Sequence, residues 1–325
     1  MSDTRLDFGT LPKEERTSSR PRHLLALTGG GFRGIFSAQV LSRLETTAQR
    51  SLSTCFDLIG GTSIGGIIAI GIACGIPAET IMEMMRDHGP GIFKAKHTAF
   101  GSLATSSYDP DPLRKAIVSI LGKPNADRPF SDIPAKLAVV AVDERASEPR
   151  IFKTEALAGR FADRISTVDV ALATSAAPTY FPPHRIGDDV FVDGGLIANA
   201  PDVILIGEAM RSFGSKLDDL HLFSVGTASN ARVGRAGGAP GKLQWMTQHG
   251  LIDLIMDSQV ALAIQQIRRL NPATVLRVDR RPSRNIDLAD VEPETRDELL
   301  SLANQECNSL EQTANWLRFA AHRAI

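Results

Sequence analysis

The chain has little with which to build a cross-linked, membrane-spanning or strongly charged protein. Its 325 residues include three cysteines, Cys55, Cys74 and Cys307. The number is odd and two of them sit in apolar segments, which argues against a disulfide framework and for a reducing compartment. No Cys-His cluster has metal-ligand spacing, so no metal is expected. The most apolar stretch, Ile67 to Ile76, is about ten residues long and contains glycines, whereas a membrane-spanning helix needs about 20. The opening run, M-S-D-T-R-L-D-F-G-T-L-P, is polar and mixed in charge, without the apolar centre of a signal peptide. A cytoplasmic location is therefore expected, with any membrane contact peripheral. A net charge of −1 creates no field that favours nucleic acid, and no DNA or RNA polymer is expected as a partner.

What is present suits a soluble globular protein. The apolar fraction is 43% and the charged fraction 22%, both ordinary for a large packed core. Residues 1–22 read as a flexible arm and 23–325 as a single domain. Apolar strands are expected at 23–28, 56–59, 136–142, 150–153, 189–192, 221–225 and 274–278. Helical periodicity is expected at 32–49, 67–74, 77–87, 112–121, 166–175, 201–213 and 243–270, and in one final helix carrying Leu299, Ala303, Cys307, Leu310, Ala314 and Leu317. Strands alternating with helices imply a three-layer α/β/α fold with a mainly parallel central sheet. Residues 89–112 break the pattern and read as a long excursion. Such loops are usually functional or mobile.

Three glycine-rich corners carry the chemistry. Residues 61–65 read G-T-S-I-G, between an apolar strand and an apolar helix. A strand that turns sharply into a helix needs small residues there, and the residue at the tip is pushed outward. Gly61, Thr62 and Gly65 then form a nucleophile elbow around Ser63. A serine hydroxyl needs a base to take its proton. His88, His97, His184, His221, His249 and His322 are the histidines downstream of Ser63, and none occupies a glycine-rich corner. Asp193 does, between V-F-V and Gly194-Gly195, at a strand end where α/β sheets bind ligands. A carboxylate in reach of the hydroxyl can serve as the base directly.

The third corner, G-G-G-F-R-G at 29–34, admits two readings. It satisfies a dinucleotide-binding fingerprint, which also wants an acidic residue at a strand end about 20 residues on. Glu45 falls within a helix and Asp57 near a strand start, so neither fits well. The other reading is an oxyanion hole, in which glycine N–H groups at a helix start meet one developing charge and Arg33 adds a positive one.

Together, G-G-G-F-R-G, G-T-S-I-G, S-A-A-P-T-Y-F-P-P at 175–183 and D-G-G at 193–195 resemble the patatin-like phospholipase family. The resemblance covers about residues 23–230. It implies a Ser–Asp dyad of Ser63 and Asp193, with an oxyanion hole from Gly29, Gly30, Gly31, Arg33 and Gly34. The implied reaction is hydrolysis of phospholipid acyl esters through an acyl-serine intermediate. The compact motif spacing and the run F-D-L-I-G-G-T-S-I-G-G-I-I-A are similar to bacterial patatin-like effectors of anti-phage signalling. That narrower likeness implies no cofactor but an allosteric cyclic dinucleotide activator, and the phospholipid surface of the inner membrane as substrate. No motif marks the nucleotide's site. The basic, glycine-rich segment with Arg232, Arg235 and Lys242 is one candidate, and 89–112 is a candidate lid. Self-association into a homo-oligomer is left open. The alternatives are a lipid acyl hydrolase without nucleotide control and a non-catalytic nucleotide-binding module using Gly29–Gly34.

Overall fold

The computed structural model describes residues 20–94, 106–159, 163–229 and 251–324. Most of the N-terminal arm, the middle of the 89–112 excursion, His97, His249 and the basic segment around Arg232, Arg235 and Lys242 lie outside the described residues.

Eight strands form one sheet: β1 Arg22–Leu27, β2 Leu58–Thr62, β3 Leu137–Asp143, β4 Glu148–Lys153, β5 His184–Ile186, β6 Asp189–Asp193, β7 Leu220–Val225 and β8 Thr274–Val278. The spatial order is β5-β6-β3-β2-β1-β7-β8, with β4 also paired to β3. The five strands from β3 to β8 along that order are parallel, and β4, β5 and β6 enter antiparallel. The described helices are α1 Gly34–Ala48, α2 Ile64–Ala73, α3 Ala78–Ile92, α4 Pro110–Leu121, α5 Lys123–Asp127, α6 Glu155–Ala158, α7 Thr167–Thr174, α8 Gly195–Ala198, α9 Asp202–Phe213, α10 Leu251–Leu270, α11 Pro293–Leu310 and α12 Ala314–Ala321.

The apolar runs of the central strands follow from burial on both faces. Leu25 and Leu27 of β1 join a core with Ile35, Phe36, Ile68 and Trp316 on one side. Leu24 and Ala26, one pleat away, join Leu205, Ile206 and Leu222 on the other.

The element boundaries expected at 56–74 shift, and the shift bears on the site. Strand β2 runs through Gly60 and Gly61 to Thr62, and α2 begins at Ile64. The glycines are not a spread-out corner. At Gly61 a Cβ would lie 2.1 Å from the Gly65 carbonyl oxygen, so strand and helix touch backbone to backbone. The turn is thereby confined to Ser63. The single final helix expected at the C-terminus is two, because Thr313 ends one and caps the next, its Oγ1 accepting from Trp316 N at 3.3 Å. Helix α3 runs five residues beyond its expected end, to Ile92, so the excursion is shorter than its composition suggests.

Candidate active site

Register assembles the site. Thr62, the last residue of β2, lies beside Val140 of β3. Asp193, the last residue of β6, lies beside Ala141. Two strands of opposite direction thus end against consecutive residues of β3, and Ser63 meets Asp193 there. Asp193 stands at the carboxyl end of its strand, as expected, and that strand is antiparallel to β3 and stops part-way along it.

Ser63 has φ 57° and ψ −130°, a left-handed conformation that non-glycine residues rarely adopt. Its N–H donates to Thr174 Oγ1 at 2.9 Å, and Thr174 Oγ1 donates to the Val140 carbonyl at 2.5 Å. Thr62 Oγ1 donates to the Ala198 carbonyl at 2.7 Å. These bonds hold the strained tip from both sides. Ser63 Oγ donates to Asp193 Oδ2 at 2.6 Å. The other carboxylate oxygen, Oδ1, accepts from Gly195 N at 2.7 Å. Asp193 is buried, and burial pushes its pKa up from 3.8 to about 7, against the opposing pull of those two hydrogen bonds.

No described histidine bonds to Ser63 or Asp193. His184 Nε2 lies 3.1 Å from Asp169 Oδ1. His322 Nε2 lies 2.8 Å from Asp57 Oδ2, and its ring stacks on His23 at 3.7 Å.

The glycine loop is partly committed. Gly29 N donates to the Asn199 carbonyl at 2.9 Å, Phe32 N to the Leu288 carbonyl at 2.8 Å, and Arg33 N to the Gly30 carbonyl at 3.2 Å. The N–H groups of Gly30 and Gly31 are left without an acceptor among the described residues. So is that of Ile64, the first residue of α2. Of the expected oxyanion group, Gly30 and Gly31 therefore have donors to offer, while Gly29 and Gly34 shape the loop. A Cβ on Gly34 would press on the Ile64 side chain at 2.6 Å. Arg33 is buried, its Nε donating to the Gly30 carbonyl at 3.4 Å and its Nη1 lacking a partner among the described residues. Its positive charge sits beneath the loop in a setting of weak screening.

The sequence reading missed Thr174, Asn199, Thr227 and Ile64. Asn199 Nδ2 and Thr227 Oγ1 both donate to the Gly29 carbonyl, at 3.4 and 3.1 Å. Asn199 is the lone polar side chain in L-I-A-N-A, which marks it as unusual without saying what it faces. The fit at Gly30 gives a test. A Cβ there would lie 2.2 Å from Thr227 Oγ1. Gly30→Ala is expected to displace the loop and lower kcat on a soluble ester about 100-fold with little change in KM. Steady-state kinetics check this, and an unchanged kcat would remove the loop from the chemistry.

Beside Ser63 opens an apolar cavity of about 60 Å³, lined by residues including Phe32, Ile67, Met85, Phe93 and Leu113. Its far wall is α3 and α4. Phe93 and Tyr108 meet edge to face at 5.5 Å, so the two ends of the excursion close over this wall.

A family model described as patatin-like phospholipase matches residues 25–205, more than half of the chain. A cGAMP-activated phospholipase of Pseudomonas aeruginosa (strain BWHPSA011 / Pa011) is 34% identical over 252 residues, 76% of this chain and 74% of the relative. One of Escherichia coli (strain TW11681) is 35% identical over 226 residues, 64% of this chain and 63% of the relative. One of Vibrio cholerae serotype O1 (strain ATCC 39315 / El Tor Inaba N16961) is 35% identical over 240 residues, 66% of each chain. The matched region thus spans 63% to 74% of these relatives' own lengths. No helix among the described residues is long and apolar enough to cross a membrane, and no described group of His, Cys, Asp and Glu is arranged to hold a metal ion.

Proposed function

The chain belongs to the patatin-like phospholipase family, and from that premise we propose that it hydrolyses phospholipid acyl esters with Ser63 as nucleophile and Asp193 as its base. The observation that carries the reading is the 2.6 Å contact from Ser63 Oγ to a buried carboxylate held near neutrality. Ser63 Oγ attacks the ester carbonyl carbon as its proton passes to Asp193 Oδ2. The carbonyl oxygen becomes an oxyanion, met by the N–H groups of Gly30, Gly31 and Ile64. Collapse expels the lysolipid alkoxide, which takes the proton from Asp193, and leaves an acyl-serine. Water then attacks that ester, Asp193 again takes the proton, and the fatty acid leaves as the proton returns to Ser63. The pKa of Asp193 suits both directions of transfer, because a base works best when its pKa lies near the working pH.

The cavity beside Ser63 fits the carbonyl end of an acyl chain. About 60 Å³ is room for about four or five water-sized bodies, hence the first few carbons. Leu113→Phe is expected to shorten it. The measurement is kcat/KM across p-nitrophenyl esters of rising chain length. The ten-carbon ester should lose about tenfold relative to the four-carbon ester, the worth of about two methylenes. An equal loss at every length would separate the cavity from the acyl chain.

The three relatives carry the name cGAMP-activated phospholipase. That supports a cyclic dinucleotide as the switch for this chain, and the resemblance of its motifs to anti-phage effectors implies that the host's inner membrane is the target. The test is fatty-acid release from phospholipid vesicles with and without cGAMP, beside fluorophosphonate labelling of Ser63. Release only with cGAMP supports the regulated enzyme, and equal release without it favours an acyl hydrolase free of nucleotide control. The non-catalytic reading of Gly29–Gly34 is weaker. Gly29 and Phe32 N–H groups are already bonded, and the two candidates for the acid that reading needs are engaged elsewhere. Glu45 accepts from Leu52 N and Ala78 N, and Asp57 pairs with His322 and Arg22.

A further inference from the structure

A second cavity lies away from Ser63. It is an open cleft of about 440 Å³ walled by Ser53, Thr54, Asp57, Cys74, Arg128 and Lys136, with Ala324 at its edge. That volume falls in the range of small-molecule sites. Its position in the chain is specific. Phe56 and Asp57 stand immediately before β2, and Ala73, Cys74 and Gly75 stand at the end of α2. Ser63 is the turn between those two elements. The cleft therefore touches both arms of the nucleophile elbow at their far ends, about 20 Å from the hydroxyl at the rise of a strand. Lys136 also immediately precedes β3, the strand against which β2 and β6 end, and its carbonyl accepts from Ile59 N of β2 at 3.0 Å.

The cleft wall carries two cationic residues, Arg128 and Lys136. Asp57 is its one acid, and that side chain is fully buried. It is satisfied by His322 at 2.8 Å, His23 N at 2.9 Å and Arg22 at 3.3 Å. Arg128 is half-buried and makes no ion pair among the described residues. It lies near enough to Cys74 to draw that thiol's pKa downward, although burial outweighs it. Lys136 lays its ammonium 5.7 Å from the Phe213 ring centroid. Phe213 is not part of the cleft wall, so Arg128 is the cation set to meet a ligand there, and arginine suits phosphate through paired N–H donors. The C-terminal segment closes the remaining side, with Ala324 N donating to the Thr54 carbonyl at 2.8 Å.

We propose that this cleft is the regulatory site, binding a phosphate-bearing nucleotide of the cyclic-dinucleotide class at Arg128 and acting on Ser63 through β2 and α2. The proposal rests on the nucleotide-controlled reading of the enzyme. It lies at the opposite end of β2 from the lipid site, so activator and substrate do not compete. Both arms of the elbow are rigid and packed, so a ligand that shifts their outer ends bears directly on the Ser63 turn.

The test uses the full chain and cGAMP as probe. Isothermal titration should detect cGAMP binding to the wild-type protein. Arg128→Glu should weaken it at least tenfold, and Ser53→Trp, which fills the cleft without a change of charge, should do the same. Both variants should keep wild-type fluorophosphonate labelling of Ser63 without nucleotide, since neither residue touches the lipid site. On the unaltered protein, cGAMP should slow hydrogen exchange at residues 53–57 and 73–75. Wild-type binding with unchanged affinity in both variants, or with no protection at those residues, would overturn the cleft and leave nucleotide control standing. Absence of any binding to the wild-type chain would overturn nucleotide control and the cleft together.

Discussion

Asp193→Asn is expected to lower the acylation rate about 10³- to 10⁴-fold while making the folded protein more stable above neutrality. The activity loss follows from basicity. An amide keeps the size and the hydrogen bond to Gly195, but it cannot take the proton of Ser63 Oγ. The stability gain follows from burial. Asp193 is 1% exposed and no cation among the described residues pairs with it, so its ionised form is costly in the fold. A folded-state pKa raised from 3.8 to about 7 gives a contribution fully present below pH 3.8 and lost as the pH rises through 7. The full loss is about 4 kcal/mol. Wild type and Asp193→Asn should therefore unfold alike in denaturant at pH 4, and the variant should be the more stable at pH 8. A variant that is equally active, or less stable at pH 8, would mean that the carboxylate is neither the base nor a buried charge.

Ser63→Ala should abolish fluorophosphonate labelling and reduce ester turnover about 10⁶-fold, the scale seen when a nucleophile is removed from a serine hydrolase. Ser63→Gly should be as inactive but more stable than Ser63→Ala by about 1–2 kcal/mol. The reason is φ 57° at this position, which costs any residue with a Cβ and costs glycine nothing. Equal stability of the two variants would show that the elbow relaxes once the hydroxyl is gone. Residual labelling in both would place the nucleophile elsewhere.

Much of this site was legible because its parts are local. G-T-S-I-G fixes a tight turn through the absence of side chains at 61 and 65, and that can be read from five letters. Asp193 was visible for the same reason, as an acid against two glycines at the end of an apolar run. What was not legible is long-range. Thr174 anchors the Ser63 N–H from 111 residues away, and Thr227 braces the glycine loop from 198. Neither stands in a pattern that announces its partner. The occupied N–H of Gly29 depends on the Asn199 carbonyl, a backbone contact to which side-chain identity is blind. The mainly parallel sheet followed from alternation of strands and helices. The antiparallel entry of β6, on which the Ser63–Asp193 meeting depends, is a matter of register and had no local signal. The end of β2 was expected at 59, but Gly60 and Gly61 lie within the strand, where the lack of a side chain serves close packing. The cleft near Arg128 gathers residues from five separate segments and leaves no mark on any one of them.

The most direct test of the central claim is the pH dependence of the rate at which a fluorophosphonate labels Ser63. If Asp193 is the base, the wild-type rate rises tenfold per pH step at acid pH and levels off with a midpoint near 7, where burial holds that carboxyl. Asp193→Asn labels slowly and without that midpoint. A wild-type rate that is flat from pH 5 to 9, or the same midpoint in Asp193→Asn, would contradict the Ser63–Asp193 dyad.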